Sequence, residues 1–295
     1  MSPTARPRRS VLYMPGSNAR ALEKARTLAA DGLILDLEDA VAPDAKAAAR
    51  AQIASALAAG GYGARELIVR VNGLDTPWGM DDLAMVARSP AHAVLLPKVE
   101  CREMVTEVER RLTAAAAAPA LAIWCMMETP LGILHAEEIA ASSPRIGALV
   151  MGTSDLAKDL HAAHTATRLP LLASLGLTLI AARAYGRAIL DGVHLDLADD
   201  AGFAASCRQG KELGFDGKTL IHPKTIAAAN EIFAPSPADV AWSRRIIAAH
   251  SEASAAGKGV VLVEGKLIEN LHVEEAKRLV ALADAIEALA ASAAG

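Results

Sequence analysis

Cysteine is scarce in this chain, and the three present, Cys101, Cys125 and Cys207, have no close spacing. That excludes a disulfide framework and a CxxC metal clip, and it points to a reducing compartment. Cys125 lies inside an apolar run, where it reads as core packing. Aromatics are also scarce, with three each of Phe, Trp and Tyr. A core must therefore be filled by the Ala, Leu, Ile and Val that dominate a composition 53% hydrophobic. Positive charge is in no surplus: the formal net charge is −4. This argues against a general nucleic-acid binder, since nothing is left over to neutralise phosphates. No apolar run approaches the roughly 20 residues that span a bilayer. The basic segment MSPTARPRRS leads into a strand and not into a signal-peptide core. No histidine pair has zinc-ligand spacing. The expectation is a soluble, cytoplasmic protein with neither nucleic-acid nor membrane partners.

What the chain has is alternation. Eight short apolar runs each end on polar or ionisable residues: SVLYMPG (10–16), GLILDLED (32–39), LIVRVNG (67–73), AVLLPKVE (93–100), LAIWCMMET (121–129), ALVMGTSD (148–155), GVHLDLAD (192–199) and KTLIHP (218–223). Segments of good helix formers separate them, among them 18–30, 44–58, 101–117 and 131–141, with Asn18 and Asp44 placed to cap. The pattern predicts an α/β fold, a (β/α)8 TIM barrel, in which chemistry collects at the C-terminal ends of the strands. Such a barrel takes about 250 residues, so a chain of 295 has elements to spare. Residues 1–234 are assigned to the barrel, closed by a helix over 225–233. Residues 235–295 form an appendage: a helix near 238–255, a hairpin turning at Glu264-Gly265, and a last helix over 273–289. Its role is packing or oligomerisation, or a lid.

The predicted strand ends carry Asp36, Glu38, Asp39, Arg70, Asn72, Lys98, Glu128, Asp155 and His222. Glu128 in METPLG and Asp155 in GTSDLA end adjacent strands among small residues. Two such carboxylates suit Mg2+, with Mn2+ as a substitute, because the ion needs few protein oxygens and keeps several waters. Taken singly, Asp155 also reads as a helix N-cap and Glu128 as half of a salt bridge. Arg70 sits in a Val- and Ile-rich strand, where a cation is costly to bury without an anion. Its fork of donors suits a substrate carboxylate or a developing oxyanion; a buried pair with Glu38 or Asp39 is the structural alternative. Strand alternation sends Asp36 and Glu38 to one face and Leu37 and Asp39 to the other. Crowded acids there provide a proton relay or an anchor behind a metal, while capping and ion pairing compete for Asp39. Lys98 either forms a Schiff base with a carbonyl substrate or neutralises the acids, the preferred reading. His222 reads as a satisfied strand-end histidine.

Together these motifs resemble the citrate lyase β-subunit-like family of barrels, which includes malyl-CoA and citramalyl-CoA lyases. The resemblance rests on RRSVLYMPGSN, LDLEDAVAPDAKAAAR, VRVNGLDTPWG, LLPKVE, METPLGI, EEIAASSPRIGALVMGTSDLA and KELGFDGKTLIHPKTIAAANEIFAPS, in the family's order. It implies a Mg2+-dependent carbon–carbon lyase, trimeric or a dimer of trimers, that cleaves a 3-hydroxyacyl-CoA into an acyl-CoA and a 2-oxo acid. Glu128 and Asp155 would hold the metal, and Arg70 the substrate. Lys98 and Ser154 join the substrate side, Tyr13 and Lys24 the CoA side, and Ile221, His222 and Pro223 the thioester end. Glu38 and Asp39 would hold the water that acts as base. The chain departs from the family in GKLIENLHV, where Glu269 stands for the Asp that returns a proton and Leu271 for a proline. Asn18 replaces an arginine found in some members. Two further functions share these residues: a malyl-CoA-type thioesterase, and a non-catalytic barrel that binds an acyl-CoA or a partner.

Overall fold

The computed structural model describes residues 6–255, 257 and 260–294. Its strands are β1 (Ser10–Pro15), β2 (Gly32–Asp36), β3 (Glu66–Arg70), β4 (Ala93–Leu96), β5 (Ala122–Met127), β6 (Ile146–Met151), β7 (Ala188–Asp191) and β8 (Gly217–Leu220). All eight are parallel and follow sequence order, and β8 pairs back onto β1, so the sheet is the closed barrel expected. Residues Arg8–Phe233 make up this compact unit, and the chain from Ala234 onward belongs to a second.

Alternation along the strands explains where the polar groups go. Val11, Ile34, Ile68, Leu95, Trp124, Met126, Val150 and Leu190 form one buried cluster inside the barrel. Their neighbours Leu33, Leu35, Val69, Val94, Cys125 and Leu149 point outward into the layer under the helices. Continuing the inward series reaches Tyr13 in β1, Asp36 in β2, Arg70 in β3 and Glu128 one residue beyond β5. These polar groups are thus the top layer of the barrel's own interior, held at the height where the strands stop.

Three expectations need correction. The seventh strand is Ala188–Asp191, not 192–199. GVHLDLAD alternates like a half-buried strand, but Leu195 and Leu197 lie exposed in a loop; the buried parallel strand is the short apolar AILD before it. Asp44 caps nothing: it lies inside a 3-10 turn, Pro43–Ala45, ahead of the helix Lys46–Ala59. The helix expected over 131–141 is two, Pro130–Leu134 and Ala136–Ala141, broken where the His135 ring bonds the Glu100 carbonyl. Asn18 does cap, its Oδ1 accepting from Ala21 N at 3.0 Å.

Correct placement of β7 exposes a buried ion network. Asp191 is fully buried behind the barrel wall, 2.8 Å from Lys218 Nζ and 2.7 Å from Arg168 Nη1. Burial alone would raise the Asp191 pKa, but the two cations hold it below the usual carboxylate range. Removing one partner of such a cluster leaves buried charge unpaired, so Asp191→Asn should cost about 3–5 kcal/mol at pH 7. A carboxylate with a depressed folded-state pKa stabilises above its unfolded value, about 3.9, and the gain fades as pH falls through the lower folded value. Urea unfolding of both proteins should therefore show a gap at pH 7 that narrows below about pH 4. Equal stability at pH 7 would mean the network contributes nothing.

The C-terminal unit pairs a long helix, Pro237–Ala255, with a second, Asn270–Ala294, through the hairpin β9 (Val261–Val263) and β10 (Lys266–Ile268). The turn is the expected Glu264-Gly265, both at positive φ (49° and 78°), the conformation a tight two-residue hairpin needs. Ile246, Ile268, Val273 and Ala276 form its core. No helix among the described residues is long and apolar enough to cross a membrane.

Candidate active site

Asp36 and Arg70 are register partners on β2 and β3, so their side chains rise side by side into the barrel mouth. Arg70 Nε and Nη2 donate to the two Asp36 oxygens, each at 2.6 Å. Its remaining nitrogen, Nη1, stands 2.8 Å from Glu38 Oε2 and 3.2 Å from Asp39 Oδ2. Below it lies the Tyr13 ring, 5.0 Å from the guanidinium carbon. Burial would pull the arginine's pKa down; the hydrogen bonds and charge of Asp36 reverse this and hold it above its ordinary value. The ion pairing read as the structural alternative is therefore present, with Asp36 as the main partner and Glu38 and Asp39 beside it. Alternation misplaces Asp39, because β2 ends at Asp36 and the following turn brings Glu38 and Asp39 to the same cation.

The second half of the site is built around Glu128. It is 3% exposed, and Oε1 accepts from the backbone N of Lys98 at 2.8 Å. To present that N–H, Lys98 adopts a positive φ of 47°, a strained conformation for a non-glycine residue. No donor among the described residues reaches Glu128 Oε2. Burial pushes the Glu128 pKa up to about 7, against the Lys98 N–H that lowers it and with help from the nearby Glu38 charge. Lys98 Nζ reaches out to Glu38 Oε1 at 3.3 Å and Asp155 Oδ2 at 3.8 Å. Partial burial lowers the Lys98 pKa, but Glu38 and the other acids outweigh it, and the net shift is upward. An amine held protonated is a poor Schiff-base nucleophile, so the electrostatic reading of Lys98 stands better. Glu38, squeezed between Arg70 and Lys98, has a raised pKa through burial, which Arg70 opposes and Asp39 reinforces.

Asp155 sits in the first turn of Thr153–Asp159 and is not its N-cap, which is Gly152. Among the described residues no group of three or more His, Cys, Asp or Glu is arranged to hold a metal. The candidate donors are two carboxylates, Glu128 and Asp155, near enough that the Asp155 charge helps to raise the Glu128 pKa. That set fits Mg2+, which binds through one or two carboxylates and keeps its waters. Gly152 makes the room: a Cβ there would fall 2.4 Å from both Cβ and Oε2 of Glu128. Gly152→Ala should therefore push Glu128 aside. A displacement of this order costs about a hundredfold in rate, and overpacking costs about 1–3 kcal/mol of stability. Steady-state kinetics with thermal melts check this; wild-type kcat in the variant would show that the space is not used.

Other predicted residues are more scattered. Ser154 is half-buried beside Asp155. Tyr13 forms the floor beneath Arg70, with its hydroxyl 3.3 Å from Met126 Sδ. Ile221, His222 and Pro223 follow β8 at the same end of the barrel; Ile221 is 40% exposed, and His222 Nδ1 accepts from Lys224 N at 3.1 Å. Lys24 is exposed in the last turn of Ala19–Ala25, and among the described residues no hydrogen bond or ion pair joins its side chain to the cluster. Glu269 belongs to the C-terminal unit, exposed, with its backbone N donating to His272 Nδ1 at 3.1 Å. Sequence reasoning missed the groups that hold the site from behind: Lys46, Asp82 and Gly152, and the bidentate role of Asp36. Register gives Asp36, since it ends the inward series of β2 opposite Arg70; the others carry no pattern of their own.

Comparison with known proteins adds to this geometry. The model of the HpcH/HpaI aldolase/citrate lyase family matches residues 9–223. A (3S)-malyl-CoA thioesterase of Cereibacter sphaeroides is 51% identical over 292 residues, covering 99% of this chain and 100% of the relative. An L-malyl-CoA/beta-methylmalyl-CoA lyase of the same species is 38% identical over 311 residues, covering 97% and 98%. The crystal structure of CitE from Mycobacterium tuberculosis in complex with magnesium, acetoacetate and coenzyme A superposes with a TM-score of 0.73 at 31% identity, covering 93% of this chain and 97% of that one. These findings overturn the expectation of a carbon–carbon lyase. Thioesterases match end to end at 51%, and lyases at only 38%.

Proposed function

This chain belongs to the HpcH/HpaI aldolase/citrate lyase family, and we propose that it hydrolyses the thioester of (3S)-malyl-CoA, or of a close 3-hydroxyacyl-CoA, to the free hydroxy acid and CoA. The observation that carries this reading is the 51% identity, over the whole of both chains, to thioesterases of that specificity.

The site's residues support the chemistry. Hydrolysis needs a water aimed at the thioester carbon, a base for its proton, and positive charge where the carbonyl oxygen turns negative. Glu38 is the base: its carboxylate lies between two cations at the barrel mouth, and burial makes it more basic than an ordinary glutamate. Arg70 fixes Glu38 in place, and Lys98, half-exposed and protonated, faces the incoming anion. Asp36 keeps Arg70 from swinging, through two bonds of 2.6 Å. Glu128 and Asp155 would hold Mg2+, whose chemistry when bound is to polarise substrate oxygens and offset their charge. Water adds to the carbonyl carbon, its proton passes to Glu38, and the C–S bond breaks as the CoA thiolate leaves. No enolate forms, so this route has no step for a proton donor at position 269. A longer side chain there handicaps a lyase and leaves a hydrolase untouched.

Turnover in H2(18)O tests the route. Direct hydrolysis places one heavy oxygen in the carboxyl group of malate released from the thioester, seen as a mass gain of about two units. Unlabelled malate, or label appearing in acetate, would refute it.

A further inference from the structure

The turn carrying Glu38 and Asp39 is bonded from both sides. On its N–H side, Asp36 Oδ1 accepts from Glu38 N at 2.9 Å and Oδ2 from Ala40 N at 3.1 Å. On its carbonyl side stands Lys46, the first residue of the helix Lys46–Ala59. Its Nζ donates to Leu37 O and to Glu38 O, each at 2.9 Å, and lies 5.2 Å from the centre of the Trp78 ring. Lys46 is only 6% exposed, and among the described residues it has no carboxylate partner. An ammonium brought to this depth without an acid is expensive, and an apolar side chain would pack there at lower cost. Its use must lie in what it bonds. Asn72 Nδ2 reaches the same Leu37 carbonyl at 2.9 Å and is anchored by Asp82 Oδ2 at 2.6 Å. Arg50 Nε in turn pins Asp82 at 2.6 Å.

We propose that Lys46 is a positioning residue for Glu38: by bonding the carbonyls of Leu37 and Glu38, it sets the height and direction at which the Glu38 carboxylate meets water and substrate. Arg70 locates that carboxylate from the side, at 2.8 Å, and Lys98 from the front, at 3.3 Å. Lys46 fixes the backbone from which it springs, so the three constraints act on different atoms. The inference rests on Glu38 being the base in thioester hydrolysis. It adds that the base's geometry is set by a buried charge that touches neither substrate nor metal.

A double-mutant cycle on full-length protein tests it, with Lys46→Met and Glu38→Gln assayed singly and together below their melting temperatures. Glu38→Gln should lower kcat about 10²–10⁴-fold, the usual worth of a general base. Lys46→Met should lower kcat about ten- to a hundredfold and leave KM within about threefold, because binding is not its task. In the Glu38→Gln background, Lys46→Met should cost less than about twofold, since no base is left to misplace. An equal loss in both backgrounds overturns the positioning role and leaves Glu38 as base intact. A Glu38→Gln enzyme within a few-fold of wild type sinks the reading of Glu38, and the assignment of Lys46 with it. Should Lys46→Met fail to fold, Lys46→Gln runs the same cycle: its kcat loss should shrink to less than about twofold in the Glu38→Gln background, and an equal loss in both backgrounds overturns the positioning role.

Discussion

Replacing Arg70 by alanine is expected to cost thioester hydrolysis about 10³-fold in kcat, at the upper end of what one preorganised cationic or oxyanion donor supplies. The loss has two sources. The variant removes the cation that holds Glu38, and it leaves Asp36, Glu38 and Asp39 around a vacated site with Lys98 as the nearest positive charge. Asp36 is 1% exposed, so the second effect is also one of stability: stranding a buried carboxylate costs about 3–5 kcal/mol. Arg70→Lys should recover the charge and not the fork, because a lysine cannot bond both Asp36 oxygens and reach Glu38 at once. It should therefore regain much of the stability and little of the rate. Chemical denaturation and steady-state kinetics on the pair separate the two effects. An Arg70→Ala protein within a few-fold of wild-type kcat would contradict the site described here.

Glu128→Gln is the second large effect, and its signature is different. The amide keeps an oxygen for the Lys98 N–H and nearly the same volume, but it removes the negative charge that a metal needs. Altering a residue merely behind a metal ligand costs about 10–100-fold in affinity. Losing the charge of one of only two carboxylates should weaken Mg2+ binding by at least about a hundredfold. Titration calorimetry measures that without reference to turnover, and hydrolysis at a fixed Mg2+ concentration should fall in parallel. Stability should move the other way. A carboxyl whose folded-state pKa is about 7, above the ordinary carboxylate range, penalises the folded protein at neutral pH, where folding must either bury its charge or bind a proton that the unfolded chain has released. Metal-free Glu128→Gln should thus melt at or above the wild-type temperature. A variant that unfolds early, or that binds Mg2+ as tightly as wild type, would remove Glu128 from the metal site.

Both expectations can be drawn because the barrel is unusually plain in its sequence. Ile34–Asp36 and Ile68–Arg70 each step from an apolar interior position to an ionisable one two residues on, and parallel register sets the results side by side. Glu128 follows Met126 in the same way. The rule fails where strands stop. Asp39 escapes its assigned face because the chain turns after Asp36, and β7 hides because AILD is too short to announce itself beside the alternating GVHLDLAD. Lys46 is invisible for another reason: in DAKAAAR it looks like any solvated helix residue, and only the fold puts two carbonyls and a tryptophan around its nitrogen. The choice between lyase and hydrolase lies deeper still. Relatives of both kinds are named for malyl-CoA, and hydrolysis differs from cleavage in whether water reaches the thioester carbon. That is decided by displacements of about an ångström, which residue types and spacing do not encode. Identity across the whole chain, 51% to a relative named as a thioesterase and 38% to one named as a lyase, ranks the two where motifs do not.

The most direct measurement is a product balance. Purified protein with Mg2+ and (3S)-malyl-CoA is sampled over time for free thiol, malate, glyoxylate and acetyl-CoA in the same reaction. Hydrolysis should yield one free thiol and one malate for each thioester consumed, with no glyoxylate. Glyoxylate and acetyl-CoA formed in equal amounts, without free thiol, would contradict it.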